Sequence, residues 1–184
     1  MKSFGSFTMV RQPLDEVWAA VRDRLPEIAG RLEDLESVVT LERVEEADGR
    51  LRLLNCWTAR QRIPASLRGV VGADAISWLD RAEWVVASRT CRWSIAPSVL
   101  PDHIQCKGST RYEAAMAGRG TRVTFEGTFA LRSGFLAGMP VAFEPTIQGL
   151  VESIFSTMIP RNLAKAVNAA ADLIAAERAG GQRR

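Results

Sequence analysis

Apolar residues recur along this chain at two different spacings, and the change of spacing divides it in two. From Ser37 to Arg132 they fall at every second position, the period of strands that turn one face to a core. From Pro140 to about Arg178 the step becomes three and four. Phe143, Ile147, Leu150, Val151, Ile154, Phe155, Met158, Ile159, Leu163, Val167, Ala170, Leu173 and Ile174 then share one side of a long helix, with Pro160 expected to bend it. A stripe this wide must be buried. Only a short Gly/Arg tail, Ala179 to Arg184, follows it, so the preceding strands must supply the other wall of the core.

Turn signals divide the alternating stretch into six strands, about 37–46, 50–62, 74–87, 90–97, 103–116 and 121–132. Asp48-Gly49, Ser88-Arg89 and Gly118-Arg119-Gly120 read as hairpin turns, which makes consecutive strands antiparallel. Ser3 to Arg11 predicts an opening strand. Pro13 followed by Asp15 and Glu16 marks a helix start, and Pro26 is expected to interrupt that helix before a second short one over Glu27 to Leu35. Ile63 to Gly72 breaks the alternation with Pro64, Gly69 and Gly72 and reads as a loop at the rim; 132–140 reads as the crossover into the long helix. The order β-α-α-β-β-β-β-β-β-α predicts an α+β architecture over one domain, 1–179, with 180–184 as a tail.

Alternation also assigns faces. Leu51, Leu53, Asn55, Trp57 and Ala59 share a side, as do Ile76, Trp78, Asp80, Ala82 and Trp84; Cys91, Trp93 and Ile95 face inward with Ile104, Cys106, Gly108, Thr110 and Tyr112, and with Val123, Phe125, Gly127, Phe129 and Leu131. Asn55 and Asp80 stand where an apolar side chain is expected. A buried carboxylate needs a partner or a wet space, and Arg62 or Gln61 is a candidate partner for Asp80. The tryptophans of these rows form either a core or the wall of a cavity. A curved sheet wider than one helix can fill, with no side chains at Gly108 and Gly127, leaves room beside the helix. Cys91 and Cys106 lie about equally far from Val99, so a hairpin centred there would set them opposite one another.

The chain has 184 residues and a net charge of only +3, with its arginines scattered, which removes the clustered basic face that nucleic acid requires. Met1-Lys2-Ser3-Phe4-Gly5 lacks a signal peptide's apolar run, and no stretch approaches the length of a membrane span. Three cysteines without a CxxC pair, and a single histidine, His103, beside a predicted turn, argue against zinc and against a histidine-based catalytic set; a reducing cytoplasm fits best. No nucleotide-binding glycine loop is present, so no cofactor is expected.

Pro13-Leu14-Asp15-Glu16-Val17-Trp18 after a first strand, Trp78-Leu79-Asp80 before Trp84, Gly120-Thr121-Arg122-Val123-Thr124-Phe125 and the long terminal helix together resemble the START/Bet v 1-like (SRPBCC, polyketide cyclase-like) superfamily. The resemblance implies a helix-grip fold: a curved seven-stranded antiparallel sheet around the terminal helix, two short helices at one end, and an apolar cavity between sheet and helix. It also implies lipids, polyketides or similar molecules as ligands, with cyclase or dehydratase activity in some members. Ile63 to Gly72 would then lie at the cavity entrance.

The expected function is therefore binding of a small hydrophobic molecule. The expected wall comprises Trp57, Trp78, Trp93, Phe125, Phe129, Phe155 and Met158, with Asn55 and Asp80 orienting the ligand's polar end. Two alternatives remain open. One is a cyclase or dehydratase in which Asp80 exchanges protons; the other is a module that docks a protein through the exposed sheet face or the Ile63–Gly72 loop, and a homodimer is compatible with either.

Overall fold

The computed structural model describes residues 2–62, 75–98, 101–131, 149, 157 and 159–181. All of Ile63 to Gly72, the crossover 132–140, and the expected first part of the long helix over 141–158 apart from 149 and 157, with Phe155 and Met158, lie outside the described residues.

Seven strands form one antiparallel sheet: β1 (Lys2–Val10), β2 (Leu35–Glu45), β3 (Arg50–Arg62), β4 (Ala75–Val85), β5 (Thr90–Pro97), β6 (Ile104–Ala115) and β7 (Gly120–Leu131). Their order is β1-β7-β6-β5-β4-β3-β2, so consecutive hairpins build the sheet and β1 closes it against the last strand. Two short helices, α1 (Leu14–Asp23) and α2 (Leu25–Ala29), follow β1, and α3 (Ile159–Gly181) is the terminal helix. This is the helix-grip arrangement. The first helix breaks at Arg24, just before Pro26, which lies in the first turn of α2, where its missing N–H leaves no hydrogen bond unmade; α2 is shorter than the expected Glu27 to Leu35, and Leu35 already begins β2. Apart from 149 and 157, the residues just before Ile159, against which Pro160 is expected to bend the long helix, lie outside the described residues.

The turns use the left-handed region where the sequence supplies it. Gly49 at φ 81° and Arg89 at φ 49° close two hairpins. The β6–β7 turn falls earlier than expected, with Met116, Ala117 and Gly118 at positive φ and Gly120 already in β7. Gly120 has a different reason to be glycine: a Cβ there would stand 2.7 Å from the carbonyl oxygen of Val10.

Alternation is obeyed on the inner face. Leu51, Leu53, Trp57, Ile76, Trp78, Trp84, Trp93, Val123 and Phe125 are buried, and α3 packs Ile159, Val167, Ala170, Leu173 and Ile174 against α1, α2, β1 and β7. One cross-strand row explains the two central glycines. Trp93, Gly108, Gly127 and Phe4 lie opposite one another on β5, β6, β7 and β1. The Trp93 ring reaches across both glycines to stack with Phe4, centroids 6.1 Å apart and planes 20° from parallel. The glycines therefore seat an indole and leave no empty space, contrary to expectation.

Cys91 and Cys106 do not meet. Cys91 pairs with Thr110 and Cys106 with Ile95, because the β5–β6 hairpin is centred later than Val99. All three cysteines are free.

Ion pairs fasten α3 at its rim: Arg24 to Glu177 at 2.7 Å, Arg178 to Glu16, and Lys165 to Asp34 beside Arg161. These pairs are solvent-screened, so Asp34→Asn is expected to lower stability by no more than about 1 kcal/mol in urea denaturation.

Candidate functional site

Between α3 and the inner sheet face lies a partly enclosed cavity. Asn55 and Trp57 of β3, Trp78, Asp80, Ala82 and Trp84 of β4, and Cys91, Trp93 and Ile95 of β5 form one wall. Thr110 and Tyr112 of β6 and Phe125 of β7 continue it; Ile159, Asn162, Leu163, Ala166 and Val167 of α3, with Val21 and Leu25, close the other side. The free space is about 50 Å³. That holds a few water molecules or a small chemical group, well below the several hundred Å³ of a pocket enclosing a drug-sized molecule. The indole rings of Trp57, Trp78, Trp84 and Trp93 form part of the cavity's wall.

Register sets the polar end of the site. Asn55 lies directly between Thr40 on β2 and Asp80 on β4. Its Oδ1 accepts from the Thr40 hydroxyl at 2.9 Å, and its Nδ2 donates to Asp80 Oδ2 at 3.4 Å. The Trp57 indole N–H donates to the same oxygen at 3.4 Å. Trp57 and Trp78, opposite in register, stack with centroids 5.8 Å apart and planes 14° from parallel, which fixes that indole. Asn55 is fully buried, whereas Asp80 is half-buried and its uncovered surface lines the cavity.

Burial pushes the Asp80 carboxyl up to about 6, and the two hydrogen bonds from Asn55 and Trp57, both long, offset this only in part. No arginine or lysine pairs with it among the described residues; the expected candidates Gln61 and Arg62 have side chains outside the described set. Burial also raises Cys91 and Tyr112 well above their ordinary values, so both stay protonated at neutral pH. Among the described residues no three His, Cys, Asp or Glu side chains gather as a metal site.

Of the residues expected at the site, Asn55, Trp57, Trp78, Asp80, Trp93 and Phe125 come together around the cavity. Phe129 does not line it. It is buried farther along β7, opposite Cys106 and Lys2, on the far side of the Trp93 indole that spans Gly108 and Gly127. Sequence reasoning missed Asn162. It is 2% exposed, lines the cavity, and among the described residues has no hydrogen-bond partner for either Nδ2 or Oδ1. Each unsatisfied buried group costs about 1–3 kcal/mol. Its position was legible, three residues after Ile159 and four before Ala166, inside the apolar stripe.

No family model and no curated protein matches this sequence. Solved structures do match it. TTHA0849 from Thermus thermophilus superposes with a TM-score of 0.63 at 18% identity, covering 96% of this chain and 99% of that one. The Zhui aromatase/cyclase from Streptomyces sp. R1128 gives 0.58 at 17% identity, over 93% and 92%. Ara h 8.0201 gives 0.56 at 13%, over 95% and 98%. The fold is Bet v 1-like. At these identities the likeness concerns architecture, and this chain's own residues must carry any functional reading. Among its described residues no helix is long and apolar enough to cross a membrane.

Proposed function

We propose that this Bet v 1-like protein binds a small, largely apolar molecule in the cavity between α3 and the sheet, with the ligand's polar end at Asp80. The observation that carries this is Asp80 itself: a carboxyl group among indole rings, opening into free space, with two long hydrogen bonds to hold it among the described residues. A fold needing only a packed core gains nothing from such a group, whereas a site that must orient a ligand does. The cavity as it stands admits a group of a few atoms, so a longer ligand enters by displacing the aromatic wall. Native mass spectrometry of the purified protein is expected to show a co-purifying small molecule, and Asp80→Ala is expected to weaken its retention about tenfold. Retention unchanged in Asp80→Ala would remove the polar-anchor role.

A second reading is favoured by the same carboxyl. A group titrating near 6 takes and gives a proton at neutral pH, which suits a cyclase- or dehydratase-like reaction in the cavity, and one of the similar structures is named as an aromatase/cyclase. Turnover whose pH profile breaks near 6, and loses that break in Asp80→Asn, would support it. Three free cysteines suit the reducing cytoplasm proposed as its location.

A further inference from the structure

Asn162 is unlike the other polar residues of the cavity. Asn55, Thr110, Trp57 and Trp93 all find hydrogen-bond partners within the sheet. Asn162 lines the opposite wall, with a donor and an acceptor that have no partner among the described residues, at 2% exposure. Trp84, another wall residue, also has an indole N–H without a partner among the described residues. Folded proteins seldom leave such groups unmatched inside, so an external molecule is the natural complement.

The chemistry of that molecule follows from the carboxamide and from the charge around it. A carboxamide presents one N–H edge and one oxygen side by side, and is matched by a group carrying a carbonyl oxygen next to an N–H or O–H. A carboxylate does not suit, since it would enter beside Asp80, and no described residue of the wall is cationic. We infer that Asn162 is a ligand-recognising fork selecting a neutral group with adjacent acceptor and donor, of the lactam or primary-amide class, its apolar flanks resting on Trp57, Trp78 and Phe125. This rests on the binding function proposed above and assigns it a ligand class. A lactam matches best because its ring holds C=O and N–H on the same side, and the free space suits a small ring head group with little more.

Two probes of equal size and shape test this by NMR titration at pH 7: 2-pyrrolidone, which has the acceptor and the donor, and cyclopentanone, which has the acceptor alone. The readouts are the indole N–H signals of the wall tryptophans and the side-chain amide of Asn162. In the unaltered protein 2-pyrrolidone is expected to bind about tenfold more tightly than cyclopentanone, the worth of one well-made hydrogen bond. Asn162→Leu, apolar and similar in size, is expected to abolish the preference and to raise the thermal midpoint by about 3 °C or more, because it removes two unmatched groups. Equal affinities in the unaltered protein would overturn the fork while leaving cavity binding in place, and that comparison needs no variant to fold. A preference that survives in Asn162→Leu would overturn it too, as would a lowered midpoint, which would show the amide already satisfied without ligand. If neither ring moves a wall signal, both the fork and the binding function fall.

Discussion

Gly108→Val is expected to lower the stability of this protein by about 4 kcal/mol or more, read as a large drop in the urea midpoint. A Cβ at that position would stand 2.2 Å from the backbone oxygen of Glu126 and 2.4 Å from Cζ2 of Trp93. The first obstacle belongs to the neighbouring strand and cannot move without breaking the β6–β7 ladder; the second is an indole already held by its N–H donation to the Thr110 hydroxyl at 3.1 Å. Gly127→Val meets only ring ends, Phe4 Cζ at 2.5 Å and Trp93 Cη2 at 2.7 Å, so its expected loss is smaller and is partly recovered by Phe4→Ala. Gly49→Ala touches nothing within 4 Å and should cost only about 1 kcal/mol for its left-handed backbone. A Gly108→Val protein within about 1 kcal/mol of the original would mean that the indole does not lie across this row.

Asp80→Asn is expected to stabilise the protein, most of all in alkaline solution. The folded carboxyl titrates near 6, against 3.8 for the free group. Between those values the folded state keeps a proton that the unfolded chain has released, so stability falls as pH rises through this window and levels off above it. At about 1.36 kcal/mol per pH unit the full penalty is about 3 kcal/mol, reached by about pH 8, about half that at pH 5, and close to zero near pH 3.5. Asn at the same place still accepts from Asn55 and Trp57 without a buried charge. Urea denaturation of both proteins at pH 8 and pH 5 measures the difference, and a gap that does not shrink on acidification would show that Asp80 titrates normally. A gain in stability on removing a group is the mark of one kept for what it does.

Asn55 and Asp80 are legible as candidate site residues because each interrupts an apolar row of period two, a rule that needs no knowledge of register. Their mutual hydrogen bond is not, since it depends on which residues the β3–β4 pairing sets opposite one another. The cysteines show the same limit: moving a hairpin centre by two residues separates Cys91 from Cys106, and nothing in the composition of that turn marks the centre. Phe129 and Phe125 look equivalent in an alternating row, yet only Phe125 reaches the cavity, because depth along a strand is set by where neighbouring rings lie. Asn162 obeys the rule that exposes Asn55, applied at helical spacing: a polar residue three after Ile159 and four before Ala166 interrupts the apolar stripe. The size of the cavity escaped for a volumetric reason: an absent side chain at Gly108 or Gly127 says nothing about who fills its place.

The pairing of β1 with β7 joins residues 2–10 to residues 121–129, the most distant partners in the sheet. During synthesis the first strand of the sheet to leave the ribosome must therefore wait for all the others before its hydrogen-bonding edge is covered, and closing so long a loop slows folding. Through that interval Ser3 to Val10 presents an uncharged, aromatic-bearing ribbon to other nascent chains, which makes β1 the segment where misassembly would begin and where a chaperone would have most to protect.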